Sequence, residues 1–181
     1  IYLLPIMPKY PSYSVSTVLF LIRLNFYMLG DWFVVEYYAS AEEALSYSCM
    51  KAVFTEDDHV AAAGVTMNFT YRFADDPLGE NLLGNITWRV DMNQPAHWMH
   101  AEKTYDGIYN TYVLDTEYKT WALLLHCAEQ TEGTRYLSAF VLSRTTSLPK
   151  NVMAYLRDKL PRIPYQNGKN GTLMVRLCPF V

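Results

Sequence analysis

Val65-Thr66-Met67-Asn68-Phe69-Thr70-Tyr71-Arg72-Phe73 alternates without a break: every odd position is apolar or aromatic and every even one polar. Successive side chains of an extended chain point to opposite faces, so this run is a strand with one dry face and one wet face. Stretches of similar β-rich character lie on either side, at residues 32–38, 49–55, 85–90, 98–103, 108–114, 120–127 and 136–142. Turn-forming clusters separate them: Glu56-Asp57-Asp58, Asp75-Asp76-Pro77, Asn93-Gln94-Pro95, Asp106-Gly107 and Glu132-Gly133. Eight strands at this spacing predict an all-β domain, an antiparallel sandwich or barrel. A final short strand, 172–177, follows a Gly-rich loop.

One segment departs from alternation. Residues 149–160 open with Pro149, carry Val152, Met153, Leu156 and Leu160 at helical spacing, and stop before Pro161. That pattern predicts one amphipathic helix of about three turns. Its apolar stripe needs a surface, and Trp121-Ala122-Leu123-Leu124-Leu125 offers one, being apolar on both faces.

Composition narrows the function. The chain has 181 residues, 15% of them aromatic, with 18 acidic against 15 basic side chains and a formal net charge of −3. Such a chain has no cationic field for nucleic acid or an anionic membrane surface, and its aromatic load is incompatible with disorder. Residues 1–24 fit poorly. Three prolines and the short apolar run Val18-Leu19-Phe20-Leu21-Ile22 match neither a membrane span nor a signal peptide. They are expected to be an atypical extension, disordered or foreign to the domain, which occupies 25–181.

Three patches in order resemble the signature regions of the lipocalin family. Gly30-Asp31-Trp32 looks like its G-x-W motif; Thr116-Glu117-Tyr118 is similar to its T-D-Y motif, with Glu for Asp; Arg144 stands where the family has an arginine before the helix. The resemblance spans residues 25–178. It implies an eight-stranded antiparallel up-and-down β-barrel with one C-terminal α-helix packed on the outside. It also implies structural roles for Gly30, Trp32, Thr116, Tyr118 and Arg144, with the arginine lying across the tryptophan at the closed floor as a cation–π pair. The cysteine placement and the Gln94-Pro95-Ala96 turn look most like the apolipoprotein D and insect bilin-binding group.

That resemblance further implies a disulfide between Cys49 and Cys178. The third cysteine, Cys127, matches a second family disulfide whose partner should lie just upstream of Asn25, where residues 1–24 hold no cysteine. The sequons at Asn68, Asn85 and Asn170 would accept N-glycans in a secreted, extracellular protein.

Alternation and the motif registers predict an inward set that could hold a small hydrophobic ligand: Ala52, Phe54, Val65, Met67, Phe69, Tyr71, Ile86, Trp88, Tyr109, Thr111, Leu124, Ser138 and Phe140. Tyr71, Tyr109, Thr111 and Ser138 are its orienting polar points. Aromatic walls favour a flat or conjugated guest, and a bilin, retinoid, sterol or fatty acid fits the description. The expected function is therefore non-catalytic binding and transport of such a ligand by a secreted lipocalin, with no nucleic acid, no membrane span and no cofactor. A cell-surface receptor is left open.

Two alternatives accompany this reading. Cys127, if unpaired, could serve an isomerase or antioxidant enzyme; apolar residues on an outer rim would instead indicate a protein- or lipid-surface interaction module. A metal is not expected at His97-x-x-His100, because strand positions three apart face opposite sides. No Ser-His-Asp set or phosphate loop is apparent.

Overall fold

The computed structural model describes residues 27–39, 47–57, 64–73, 76–100, 108–129, 135–160 and 174–177. Eight strands follow one another as β1 (Gly30–Ala39), β2 (Tyr47–Asp57), β3 (Gly64–Phe73), β4 (Leu82–Val90), β5 (His97–His100), β6 (Ile108–Thr116), β7 (Trp121–Glu129) and β8 (Arg135–Ser143). Helix α1 (Lys150–Asp158) and β9 (Met174–Leu177) complete the described elements. Each strand pairs antiparallel with the next, and β8 returns to β1, so the sheet closes into an up-and-down barrel. The expected fold class is what the structure shows.

β1 makes the closure possible by serving three neighbours. Along one edge it pairs with β2 from Gly30↔Phe54 to Phe33↔Lys51, then with β9 from Glu36↔Leu177 to Ala39↔Met174; β8 lies along the other. Its register against β8 slips between Val34 and Glu36, leaving Val35 as the extra residue of a bulge. Before the bulge Trp32 and Val34 face the interior. After it, Tyr37 does, opposite Phe140, while Glu36 and Tyr38 turn to the outside.

Two apolar cores result. The interior core contains Trp32, Phe54, Val65, Met67, Trp88, Trp98 and Leu124. The second core lies outside the wall, between α1 and strands β1, β7 and β8, and contains Val35, Tyr38, Leu123, Ala139, Val141, Leu156 and Leu160. Leu123 and Leu124 thus belong to opposite cores, which is why the strand that carries them is apolar on both faces.

The helix is shorter than the sequence pattern: Pro149 precedes it as N-cap, and it ends at Asp158. One ion pair crosses the outer core. Glu36, only 1% exposed, accepts hydrogen bonds from Arg157 of α1 and from the Tyr38 hydroxyl. Burial and the adjacent carboxylate push the Tyr38 hydroxyl well above its usual pKa, and the bond to Glu36 raises that of Arg157. A carboxylate this deeply buried is tolerable only because it is paired.

Candidate functional site

The floor of the barrel is built on one arginine. The Arg144 guanidinium lies 3.7 Å from the centroid of the Trp32 ring. It also donates to three main-chain carbonyls, those of Asp31 at 2.6 Å, Tyr27 at 2.8 Å and Leu29 at 2.7 Å. Those carbonyls lie at the start of β1 and in the chain entering it, so the arginine caps main-chain acceptors there. Gly30 suits this turn through its backbone: its φ is +88°, which a side chain would strain, although a Cβ there would meet the guanidinium only at an ordinary contact distance of 3.5 Å. Trp32 is fixed from its other end, donating its Nε1–H to the carbonyl of Met28 at 2.7 Å. In the turn before β7, Thr116 accepts from the Tyr118 amide and donates to the Trp121 carbonyl, while Tyr118 adopts a positive φ of 54°. The Thr120 carbonyl of that turn accepts from the Arg144 amide, joining it to the floor.

Above the floor the inner wall divides into two sectors. Strands β2 to β4 present Ala52, Phe54, Val65, Met67, Phe69, Tyr71, Ile86 and Trp88, since residues opposite one another in the ladder share a face. Phe54, Val65, Met67 and Trp88, towards the floor, are buried; Phe69, Tyr71 and Ile86, towards the other end, are only half-buried. Tyr37 and Phe140, tilted against one another with ring centroids 5.1 Å apart across β1 and β8, are half-buried as well. Phe69 lies directly over Gly84, where a Cβ would come within 2.4 Å of its ring.

Strands β5 to β8 present a different surface. Thr111 and Ser138 are buried on the inner face, as is Leu124; Tyr109 is inward and half-buried. With them stand two histidines that the sequence reading did not include. His126 lies opposite Thr111 on one side and Ser138 on the other, and His100 lies opposite Trp88. The His126 Nδ1 is 2.9 Å from the Thr111 hydroxyl, and burial, helped by the nearby His100, lowers its pKa to about 4. Rings link the set: His100 to Tyr109 at 5.7 Å and Tyr109 to His126 at 6.3 Å. Alternation carried two residues beyond Leu124 reaches His126, so a signal for it existed.

Trp88 joins the two sectors. Its ring stacks on Phe54 at 6.4 Å and tilts against Trp98 at 5.6 Å. It is 2% exposed, yet its Nε1 has no hydrogen-bond partner.

The remaining candidate residues lie on the outer face or beyond the described region. Asn68 and Asn85 are exposed and directly opposite one another on β3 and β4. Asn170 and Cys178 lie outside the described residues, as does residue span 1–26; of Cys49 only the backbone is described. Cys127 is a free thiol on the outer side, opposite Asn110 and Leu137, and burial raises its pKa. His97 faces outward, stacked on Tyr112 at 4.8 Å with its Nε2 2.7 Å from Asn110 Oδ1. Among the described residues no group of three or more His, Cys, Asp or Glu is placed to hold a metal ion.

A concavity of about 730 Å³ also lies against the outer wall of β1 to β4, where Phe33, Lys51, Val53, Asn68, Leu83 and Asn85 line much of it. Among the described residues no helix is long and apolar enough to cross a membrane.

Solved structures share this architecture. The siderocalin Ex-FABP, described as functioning through dual ligand specificities, matches with a TM-score of 0.56 at 15% identity, over 73% of this chain and 83% of its own. Lobster apocrustacyanin A1 matches with 0.57 at 17% identity, over 81% of this chain and 78% of its own. Apocrustacyanin C2 gives 0.56 at 18% identity over the same shares. These are lipocalin structures, and the chain has the lipocalin fold. No known sequence family matches it, and no curated protein does.

Proposed function

We propose that this chain works as a lipocalin: it binds a small hydrophobic ligand inside the barrel and carries it, without catalysis. The observation that supports this most is the gradient along the inner wall. Near the floor Phe54, Val65, Met67 and Trp88 are buried, whereas Phe69, Tyr71, Ile86, Tyr37 and Phe140 face inward and are still reached by solvent. A barrel filled by its own side chains would bury both groups. An aromatic surface that water reaches gains about 25 cal/mol for each Å² that a guest covers. Ala52, Phe54, Val65, Met67, Trp88, Thr111, Leu124 and Ser138 complete the proposed wall with Tyr109 at its polar side; a bilin, retinoid, sterol or fatty acid are the candidate guests.

Secretion belongs to the same proposal, with glycans at Asn68, Asn85 and Asn170 and a disulfide between Cys49 and Cys178. The pairing of both β2 and β9 to one edge of β1 supports that disulfide. The apolipoprotein D and bilin-binding group is the proposed relation within the family. An enzyme using Cys127 has little support: the thiol is protonated at neutral pH and points away from the interior. A surface-interaction role has one observation in its favour, the exposure of Leu78 (79%) and Leu83 (81%) on the β3–β4 hairpin.

Titrating the protein with retinol, a fatty acid and biliverdin while following tryptophan emission tests the proposal. Saturable quenching by at least one guest, reduced in Trp88→Phe, is expected. Flat titrations for all three would remove the carrier function, and membrane or receptor binding lost in Leu83→Asp would favour the surface role instead.

A further inference from the structure

We infer that the ligand's seated end is a neutral oxygen acceptor, a ketone, aldehyde or ester carbonyl held by the indole N–H of Trp88, and not a carboxylate. This rests on the proposal that the barrel binds a ligand.

Three tryptophans face the interior, and two have their N–H groups satisfied. Trp32 donates to the Met28 carbonyl at 2.7 Å and Trp98 to the Pro95 carbonyl at 3.1 Å. Trp88, 2% exposed, donates to nothing in the protein. An indole nitrogen can only donate, and a buried donor left unmet is destabilising, so the complement to this site is an acceptor. Its ring neighbours Phe54 and Trp98 cannot supply one. Directly opposite, His100 begins the polar sector that runs through Tyr109 to His126, which shares a hydrogen bond with Thr111. An acceptor at Trp88 therefore sits where the apolar and polar sectors meet, and an apolar ligand body lies along β2 to β4.

Charge decides between acceptors. Among the described residues, those facing the interior between floor and rim include no lysine or arginine. Arg144 is taken up by three carbonyls and the outer side of Trp32. Burial keeps His126 neutral near pH 7. A carboxylate seated here would lose its hydration without gaining a cation, whereas a carbonyl oxygen loses much less.

Three fluorescent probes separate the possibilities at pH 7.5: cis-parinaric acid, its methyl ester, and diphenylhexatriene, which carries no acceptor. The ester is expected to bind about tenfold more tightly than the acid. Trp88→Phe should weaken the ester about fivefold while changing diphenylhexatriene less than about twofold. The wild-type comparison stands even if the variant folds poorly. An acid that binds as well as the ester, or a variant that weakens ester and hydrocarbon alike, would overturn the inference and leave the carrier function standing. Failure of all three probes to bind would overturn both.

Discussion

The two sectors of the barrel's inner wall are made from the same kind of strand and carry opposite chemistry. Between β2 and β4 the inward side chains include Ala52, Phe54, Val65, Met67, Phe69 and Ile86, with the Tyr71 hydroxyl and the Trp88 N–H as polar points and Glu56, opposite Val65, exposed at the floor end. Between β5 and β8, Thr111, His126, Ser138, Tyr109 and His100 stand among Trp98, Leu124 and Phe140. A core that only had to fill space would have no use for this second set, because each buried polar group needs a partner and adds nothing to apolar burial. Under the proposed carrier function the two walls divide the labour, one supplying grip on the ligand and the other orientation.

The largest expected effect concerns the floor from which both walls rise. Arg144→Ala removes three charge-assisted hydrogen bonds and the Trp32 contact, and should cost about 4 kcal/mol in urea unfolding. Both walls should loosen together; a loss under about 1 kcal/mol would show that the floor is held by other means.

The polar wall should reveal itself through pH. His126 takes up a proton near 6.5 when the chain is unfolded and only near pH 4 when folded. Between those values the unfolded chain binds more protons, so stability present above pH 6.5 is lost as the pH falls towards 4, by up to about 3 kcal/mol. Urea midpoints measured across that window should fall for the wild type and fall less for His126→Gln. Equal slopes would mean that His126 is solvated and the wall less dry than described.

The apolar wall should respond to volume, not to pH. Met67→Ala, at a fully buried inward position, should cost about 2–3 kcal/mol at every pH from 4 to 8. Thr111→Val, which deletes the hydroxyl bonded to His126, should cost only about 1 kcal/mol and should change ligand preference more than stability. If Met67→Ala proved pH-dependent and Thr111→Val did not alter ligand choice, the division between the walls would fail.

How much of this could be read from the residues depended on where phase is set. The 65–73 run names its own dry face, which places Val65, Met67, Phe69 and Tyr71 directly, and the pairing of β3 with β4 carries that phase to Ile86 and Trp88. Bulges defeat such counting. The extra residue at Val35 turns Glu36 and Tyr38 outward to meet α1, and the register shift between Val113 and Asp115 in β6 does the same for that strand's end. β7 hides its phase differently: Trp121 to Leu125 is apolar on both faces, so the run does not set its own phase, and His126 becomes legible only by counting on from Leu124 once that residue is placed inward. β5 has only four residues, too few for a period, and the inward direction of Trp98 and His100 comes from their partners Val90 and Trp88. The floor was legible as a motif, but the three carbonyls that Arg144 binds were not, because they are main-chain groups.

The most direct test of a ligand inside the barrel uses its four tryptophans as reporters. Trp32, Trp88 and Trp98 belong to the interior core, and Trp121 packs in the outer core beneath α1. In a ¹⁵N-labelled sample titrated with methyl parinarate, the indole N–H signal of Trp88 should shift most and downfield, as a donor gaining an acceptor does, while that of Trp121 stays in place. Saturating ligand that leaves the Trp88 signal unmoved, or shifts only Trp121, would contradict a ligand seated within the barrel.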